Sequence, residues 1–199
     1  MVTEQRPIIV MEDQRIRLAL TQERHAAALA RLWNDSRVME RVGFPRGLGV
    51  STEQVASIIR NQRDNWPAGD YHLSVELADG TFIGEAIIGR TDDGGTSHPD
   101  IKLLHEYWRQ GYARESMHLV IGHIFTHTHA ARVRFMPAVD NHAAIKLYSS
   151  FGCVPDGAVQ TWHPATYMDL NAPEIVSYQY QPMVMSREVW DQRYGQEYQ

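Results

Sequence analysis

Residues 100–125, DIKLLHEYWRQGYARESMHLVIGHIF, decide the fold of this chain because they join a short apolar strand to an amphipathic helix through a compact turn. Such a turn directs several free backbone N–H groups, and the positive end of the helix dipole, toward one point in space. Gly111 lets the backbone approach a ligand closely, while Arg109 and Arg114 bring fixed positive charge to an otherwise acidic chain. The stretch therefore predicts a binding site for a phosphate or pyrophosphate.

The composition of the 199 residues limits the class of protein. A hydrophobic content of 43% and a charged content of 22% are typical of one globular domain with a true core. The formal net charge of −5 argues against a broad nucleic-acid-binding surface, so an anion site has to be local. The single cysteine, Cys153, excludes an internal disulfide and a zinc site built from thiolates. His123, His127 and His129 have a spacing that can hold zinc, but no carboxylate or thiol joins them at ligand spacing, so we expect no metal site.

The apolar runs of the chain are short. Near the N-terminus, Ile8–Met11 is too short for the core of a signal peptide, and no other run approaches the length that crosses a membrane. We therefore expect a cytoplasmic protein that has neither a membrane nor a nucleic acid as a partner.

Hydrophobic periodicity predicts a mixed α/β fold, more closely α+β, in which a largely antiparallel central sheet is flanked by helices. Helices are expected to begin near Thr21, Ser51, Gly111 and Asn141. The predicted strands are Ile16–Leu20, Tyr71–Leu77, Phe82–Arg90, Asp100–Leu104, Arg132–Val139, and two more around Ala158–Trp162 and Ser177–Met185. We expect residues 1–14 to form an N-terminal arm and residues 15–199 to form a single domain.

Two motifs give this sequence a resemblance to a known family. The turn YWRQGYA at 107–113 is similar to the acyl-CoA-binding motif of the GNAT superfamily of N-acetyltransferases, in the form YWGKGYA that is typical of its RimJ/RimL-like, ribosomal-protein branch. After one intervening strand, NHAAIKLYSSFG at 141–152 matches the second motif of that family, N-x-x-A-I-x-L-Y-x-x-x-G. Weaker similarity extends to IRLALTQER, FIGEAIIG and VMSREVW, so the resemblance covers nearly the whole chain.

Three departures from the family pattern stand out. No proline precedes Glu106, Arg109-Gln110 replaces the usual Gly-Lys, and Cys153 replaces an aromatic residue. None of them removes a group that the chemistry needs, but the first shifts the expected frame of contacts between strand and ligand by a residue.

The resemblance implies a GNAT-like fold, in which two neighbouring strands of the central sheet splay apart. It also implies transfer of an acetyl group from acetyl-CoA to a primary amine, by direct attack in a ternary complex and without a metal. The residues that it implies for binding acetyl-CoA are Leu103, Leu104, Arg109, Gln110, Gly111, Tyr112, Ala113, Arg114, Asn141 and Lys146. A non-catalytic acyl-CoA-binding or regulatory module of the same fold is the alternative.

The resemblance also implies a role for several of these residues. The backbone amides of 109–114 would hold the pyrophosphate, and a free N–H at Leu103 or Leu104 would stabilise the oxyanion of the thioester carbonyl. Asn141 would cap a helix and contact the pantetheine arm. Tyr148 lies two helical turns after Asn141 and on the same face, so its phenol is the expected general acid for the departing thiolate.

The attacking amine has to be neutral, so the reaction needs a base. Glu85 is the preferred candidate because an acidic residue within an otherwise apolar strand indicates a cleft. A strand glutamate is also common as the solvent-facing alternate residue, and that interpretation stays open. Asp100 and Glu106 are weaker candidates.

The amine acceptor is a small molecule or a protein N-terminus. Asp92, Asp93 and Asp100 lie near the presumed cleft and favour a cationic acceptor. The stretch Gln160–Gln181, rich in Trp, Tyr and Pro, is expected to form a wall of the acceptor site. The oligomeric state stays open, with a homodimer among the options.

Overall fold

The computed structural model describes residues 10–64, 71–164 and 172–198, which fold into two β-sheets and a small two-stranded sheet with helices packed on their faces. The strands are β1 Val10–Glu12, β2 Ile16–Leu20, β3 Tyr71–Leu77, β4 Phe82–Ile88, β5 Thr96–Ser97, β6 Asp100–Leu103, β7 Arg132–Phe135, β8 Val154–Pro155, β9 Gln160–Trp162, β10 Tyr178–Tyr180 and β11 Met183–Ser186. The helices are α1 Ala26–Asn34, α2 Ser36–Met39, α3 Thr52–Asp64, α4 Tyr112–His127, α5 His142–Phe151 and α6 Arg187–Tyr194. Within these ranges no helix has the length and apolarity needed to cross a membrane.

The larger sheet has the order β1-β2-β3-β4-β6 and is antiparallel throughout, as the periodicity predicts for the central sheet. Its register places Ser74 of β3 opposite Glu85 of β4, and Glu85 opposite Lys102 of β6. Because successive side chains of a strand point to opposite faces, these three residues share one face of the sheet.

The two main sheets meet where the chain changes partners between β5 and β6. Thr96 and Ser97 of β5 pair in parallel with β7, whereas Asp100–Leu103 pairs with β4 instead. Pro99 lies at the change and has no N–H to offer to either ladder. The strands β6 and β7 therefore belong to different sheets and diverge, which confirms the splayed strand pair.

Helices cover both faces of the larger sheet. One face packs against a fully buried stripe of α4, made of Met117, Val120, Ile121 and Ile124. The other face packs against α1 and α3, which bury Leu29, Leu32, Trp33, Val55 and Ile59. Because β4 is covered on both sides, a charged side chain within it has to find partners inside the protein.

Several predicted elements have different bounds in the structure. The single strand expected at Ser177–Met185 is two strands, β10 and β11, because Pro182 between them cannot donate to a ladder. The strand expected at Arg132–Val139 ends at Phe135, just before Pro137. Within the expected N-terminal arm, β1 pairs with β2 and extends the sheet. The division into an arm and a single domain stays a prediction.

Candidate active site

The turn before α4 has the backbone shape of an anion-binding loop. Gly111, with φ of 92°, and Arg109, with φ of 61°, both adopt the left-handed conformation. After the amide of Trp108, the next backbone amide in the described chain that donates a hydrogen bond is that of Arg114, which donates to the carbonyl of Gly111 at 2.9 Å. The N–H groups of Gln110 to Ala113 donate no hydrogen bond there, so they are available to an anion at the positive end of the helix.

Arg15, between β1 and β2, holds this loop from outside. Its Nη2 donates to the carbonyl of Gln110 at 3.0 Å, and its Nε donates to Glu115 Oε1 of α4, also at 3.0 Å. The guanidinium lies 4.7 Å from the centre of the Tyr112 ring. Sequence analysis missed this residue because nothing local connects it with a loop 95 positions away.

The pairing of β6 with β4 shows which of the two candidate residues, Leu103 or Leu104, has a backbone N–H that β4 does not use. The N–H of Leu104 donates to the carbonyl of Ile83 at 2.9 Å, so it is already used in pairing with β4. Hydrogen-bonded and non-hydrogen-bonded pairs alternate along an antiparallel ladder, and Leu103 is opposite Gly84 in the next pair. The N–H of Leu103 therefore points into the split between the sheets. Its carbonyl, on the same edge, accepts Trp108 Nε1 at 2.7 Å.

Asn141 and Tyr148 lie on α5, beside the split. Asn141 caps the helix, with its Oδ1 accepting from the Ala144 amide at 3.2 Å. The ring of Tyr148 is buried and stacks on Phe135 of β7, with centroids 4.0 Å apart and planes 13° apart. Burial raises the pKa of the Tyr148 phenol, and the negative charge of Asp100 raises it further. The phenol is therefore protonated near neutral pH and available as a proton donor.

Glu85 is enclosed beneath α1 rather than open to a cleft. Its side chain is 2% exposed, and its Oε1 accepts Trp33 Nε1 at 2.8 Å and lies 3.6 Å from Lys102 Nζ. His72 Nδ1 lies 3.3 Å from Oε2. Burial alone would raise the pKa of Glu85, but Lys102, His72 and Trp33 outweigh it and lower the pKa to about 2. The carboxylate is therefore ionised and fully occupied by partners.

Lys102 connects Glu85 with a second carboxylate, that of Asp100. Its Nζ forms a close ion pair with Asp100 Oδ2 as well as the contact with Glu85. Burial would lower the pKa of Lys102, yet the two carboxylates raise it above its usual value. Asp100 keeps 42% of its side chain exposed. Its charge contributes to the raised pKa of Tyr148 and, after the larger effect of burial, to that of Tyr178, which reaches about 12.

We call Trp33, His72, Glu85, Asp100 and Lys102 the polar cluster. Its members come from α1, β3, β4 and β6, and sequence analysis found only its two carboxylates. No local signal in the sequence pointed to the other three, because the strand register and the packing of α1 bring them together.

Comparison with known proteins identifies the family. The family model described as "Acetyltransferase (GNAT) domain" matches residues 15–154. The chain belongs to the GNAT acetyltransferase family. The split sheet and the loop before α4 are thus features of a GNAT domain. No curated protein matches this GNAT chain significantly.

Solved structures with this fold carry different activities in their names. A spermidine N-acetyltransferase from Vibrio cholerae, in complex with CoA and spermine, is 16% identical with a TM-score of 0.72, covering 89% of this chain and 99% of its own. A GNAT-family acetyltransferase from Bacillus anthracis is 15% identical with a TM-score of 0.68, covering 90% and 99%. Apo FdhC, a nucleotide-linked sugar GNAT, is 13% identical with a TM-score of 0.73, covering 96% and 97%. Such identities show the fold alone, so the RimJ/RimL-like branch stays a prediction.

Three further residues that the sequence predicted for the site of this GNAT protein differ in their contacts. Arg114 Nη1 donates to Ser150 Oγ of α5 at 2.6 Å, and the guanidinium lies 5.0 Å from the Phe151 ring centre, so it joins α4 to α5. Lys146 is exposed on α5. Glu106 forms an ion pair with Arg31 of α1, outside the polar cluster.

The His123 and His127 rings of this GNAT protein stack at 4.4 Å. Among the described residues no group of three metal-ligating side chains comes together.

Two contacts join loops from separate parts of this GNAT domain. Arg41, after α2, forms an ion pair with Asp140 at 2.8 Å, immediately before the α5 cap. The amide of Val176 donates to the carbonyl of Gly43 at 2.9 Å. The predicted wall Gln160–Gln181 supplies the β9–β10 pair, while its residues 165–171 lie outside the described part of the chain.

We expect the Gly111→Ala variant to weaken CoA binding at least tenfold, measured by calorimetry. An alanine here keeps a left-handed φ at a cost of about 1–2 kcal/mol, and its Cβ would lie 2.9 Å from Arg15 Nη2. The loop would relax by turning its amides. Gly80→Ala is the control, because Gly80 also has a left-handed φ of 84° but nothing within 4 Å of its Cβ. Equal CoA affinity in both variants would contradict the role of the loop.

Proposed function

We propose that this GNAT protein transfers the acetyl group of acetyl-CoA to a primary amine, by direct attack of the amine within a ternary complex. The observation that carries the proposal is the unpaired edge of β6, which leads directly into the unbonded amides of Gln110 to Ala113. One continuous segment thus offers hydrogen-bond donors to an extended amide chain and to a pyrophosphate. These two groups are covalently joined in CoA. The CoA and spermine bound to the related spermidine acetyltransferase support the same interpretation.

The thioester would lie in the split, with its carbonyl oxygen near the N–H of Leu103. A backbone donor fixed by its strand needs no reorganisation when the oxyanion forms, which is why such donors stabilise a transition state more than water does. Asn141, at the start of α5, has a side-chain NH₂ group that its capping bond does not use and that is suited to the pantetheine arm.

During the reaction the amine nitrogen has to lose protons and the sulfur of CoA has to gain one. The acceptor amine binds as an ammonium ion and first loses one proton to a carboxylate or to water beside it. The neutral nitrogen then forms a bond to the carbonyl carbon and becomes positively charged. The C–S bond breaks, the sulfur receives the phenol proton of Tyr148, and the nitrogen gives its second proton to the resulting phenolate, so the amide keeps one N–H. Because a phenolate is a stronger base than a thiolate, proton transfer to sulfur alone is unfavourable, and the proton from nitrogen restores the phenol.

Asp100 fits the role of the base better than Glu85. A carboxylate with a pKa of about 2 is a weak proton acceptor near neutral pH, and the partners of Glu85 surround it. Asp100 is much more exposed and is electrostatically coupled to the general acid Tyr148. We therefore propose that Asp100 receives the amine proton while Glu85 fixes the position of Lys102.

Release of CoA thiol from acetyl-CoA, followed over a panel of primary amines, tests the activity. We expect amine-dependent release with intersecting initial-rate lines, since both substrates have to be bound before reaction. Tight CoA binding without release on any amine would instead favour a non-catalytic acyl-CoA-binding module.

The Tyr148→Phe variant should keep CoA affinity and lose turnover by about tenfold or more, because it keeps the stack on Phe135 and removes only the acid. Tyr194→Phe, in the aromatic cluster of α6, is the matched control and should keep turnover. Unchanged turnover in Tyr148→Phe would remove the proposed role of its phenol.

Comparison of Asp100→Asn with Glu85→Gln separates the two carboxylates. We expect Asp100→Asn to lower kcat about 10²-fold or more with CoA affinity kept. Glu85→Gln should lower the free energy of unfolding by about 1–3 kcal/mol, because it removes the negative charge that pairs with buried Lys102 and leaves one acceptor oxygen where there were two. The opposite pattern, with turnover lost in Glu85→Gln and kept in Asp100→Asn, would make Glu85 the base.

A further inference from the structure

Lys102 places a positive charge between the two carboxylates of the polar cluster. It projects from β6 on the same face as Glu85, its Nζ contacts both Glu85 and Asp100, and its side chain is only 14% exposed. A lysine on a strand usually keeps its ammonium group in water. This one instead lies between two carboxylates, of which only Asp100 has substantial exposed surface.

The charges of the polar cluster show what the acceptor would meet. Glu85 and Asp100 contribute two negative charges, and Lys102 cancels one of them. The charged neighbours from the surrounding loops are already paired with each other, Arg41 with Asp140 and Arg37 with Asp35. Tyr178 adds a neutral hydroxyl, because burial raises its pKa to about 12. Within the polar cluster, whose residues all lie in the described part of the chain, Asp100 is the carboxylate with exposed surface for an ammonium group.

We propose that Lys102 makes the site selective for acceptors with a single cationic amine and against diamines and polyamines. The inference rests on the proposed acetyl transfer to an amine. The ammonium of Lys102 lies beside Asp100, the exposed carboxylate of the polar cluster, where a second ammonium of the acceptor would have to bind. Two like charges near one another are strongly unfavourable where water is scarce, so the site rejects the second cation by repulsion as well as by lack of a partner.

Matched acceptors test this selectivity without any mutation. Butylamine and 1,4-diaminobutane have the same carbon chain and differ in the second amino group, and spermidine extends the series. We expect kcat/KM for butylamine to exceed that for either polycation at least tenfold in the wild-type protein. A diamine or polyamine used as well as or better than the monoamine would overturn the inference.

The Lys102→Met variant tests whether this lysine causes the preference. Methionine fills much of the same volume without the charge, so the ratio of kcat/KM for butylamine to that for 1,4-diaminobutane should fall at least tenfold. Lys102→Arg keeps the charge and should keep the preference. Lys102→Gln, which also removes the charge, replaces the methionine variant if thermal melting shows that the latter does not fold. Arg60→Met is the control and should leave the ratio unchanged. It removes an exposed cation of α3 that is paired with Glu23.

The outcomes separate the two proposals. No thiol release with any amine would overturn the proposed function, and the selectivity with it. Release with every amine at similar kcat/KM would keep the acetyl transfer and overturn only the selectivity. A monoamine preference that Lys102→Met leaves unchanged, in a variant that melts like the wild type, would also overturn the role of Lys102.

Discussion

The divergence of β6 from β7 is the constraint on which the rest of the structure depends. Backbone groups at a strand edge need partners, and inside a protein they cannot rely on bulk water for them. At this edge the carbonyl of Leu103 is bound by Trp108, whereas its N–H points into the split. Under the proposed function, an extended molecule with its own amide groups would pair with this edge, and a charged group at its end would lie at the start of α4.

The composition of the polar cluster follows from the need to stabilise a buried carboxylate. Glu85 lies in a strand covered on both faces, and an isolated charge in that position would be very unfavourable. Trp33, His72 and Lys102 provide the partners that make its burial possible. The two carboxylates of the cluster therefore differ in their surroundings, although they belong to neighbouring strands. Glu85 is held within the core, whereas Asp100 is partly exposed.

Patterns of a few consecutive residues predicted much of the structure, whereas contacts between residues distant along the chain were not predicted. The loop before α4, the cap at Asn141 and the position of Tyr148 each depend on a few consecutive residues, and the order of strands followed from their periodicity. The partners of Glu85 could not be predicted in this way, because they come from three separate elements joined only by register and packing. The same holds for Arg15, and for β5, whose two residues are too few to give a periodic pattern.

Arg15 has a consequence for the order of events in folding. It contacts Gln110 and Glu115 from the turn between β1 and β2, so these contacts close loops of 95 and 100 residues. Contacts between residues so distant along the chain form late, because the entropy of a long loop has to be lost before they stabilise anything. The helix α4 can form early from local interactions, but its first turn reaches its final shape only after the edge strands have docked.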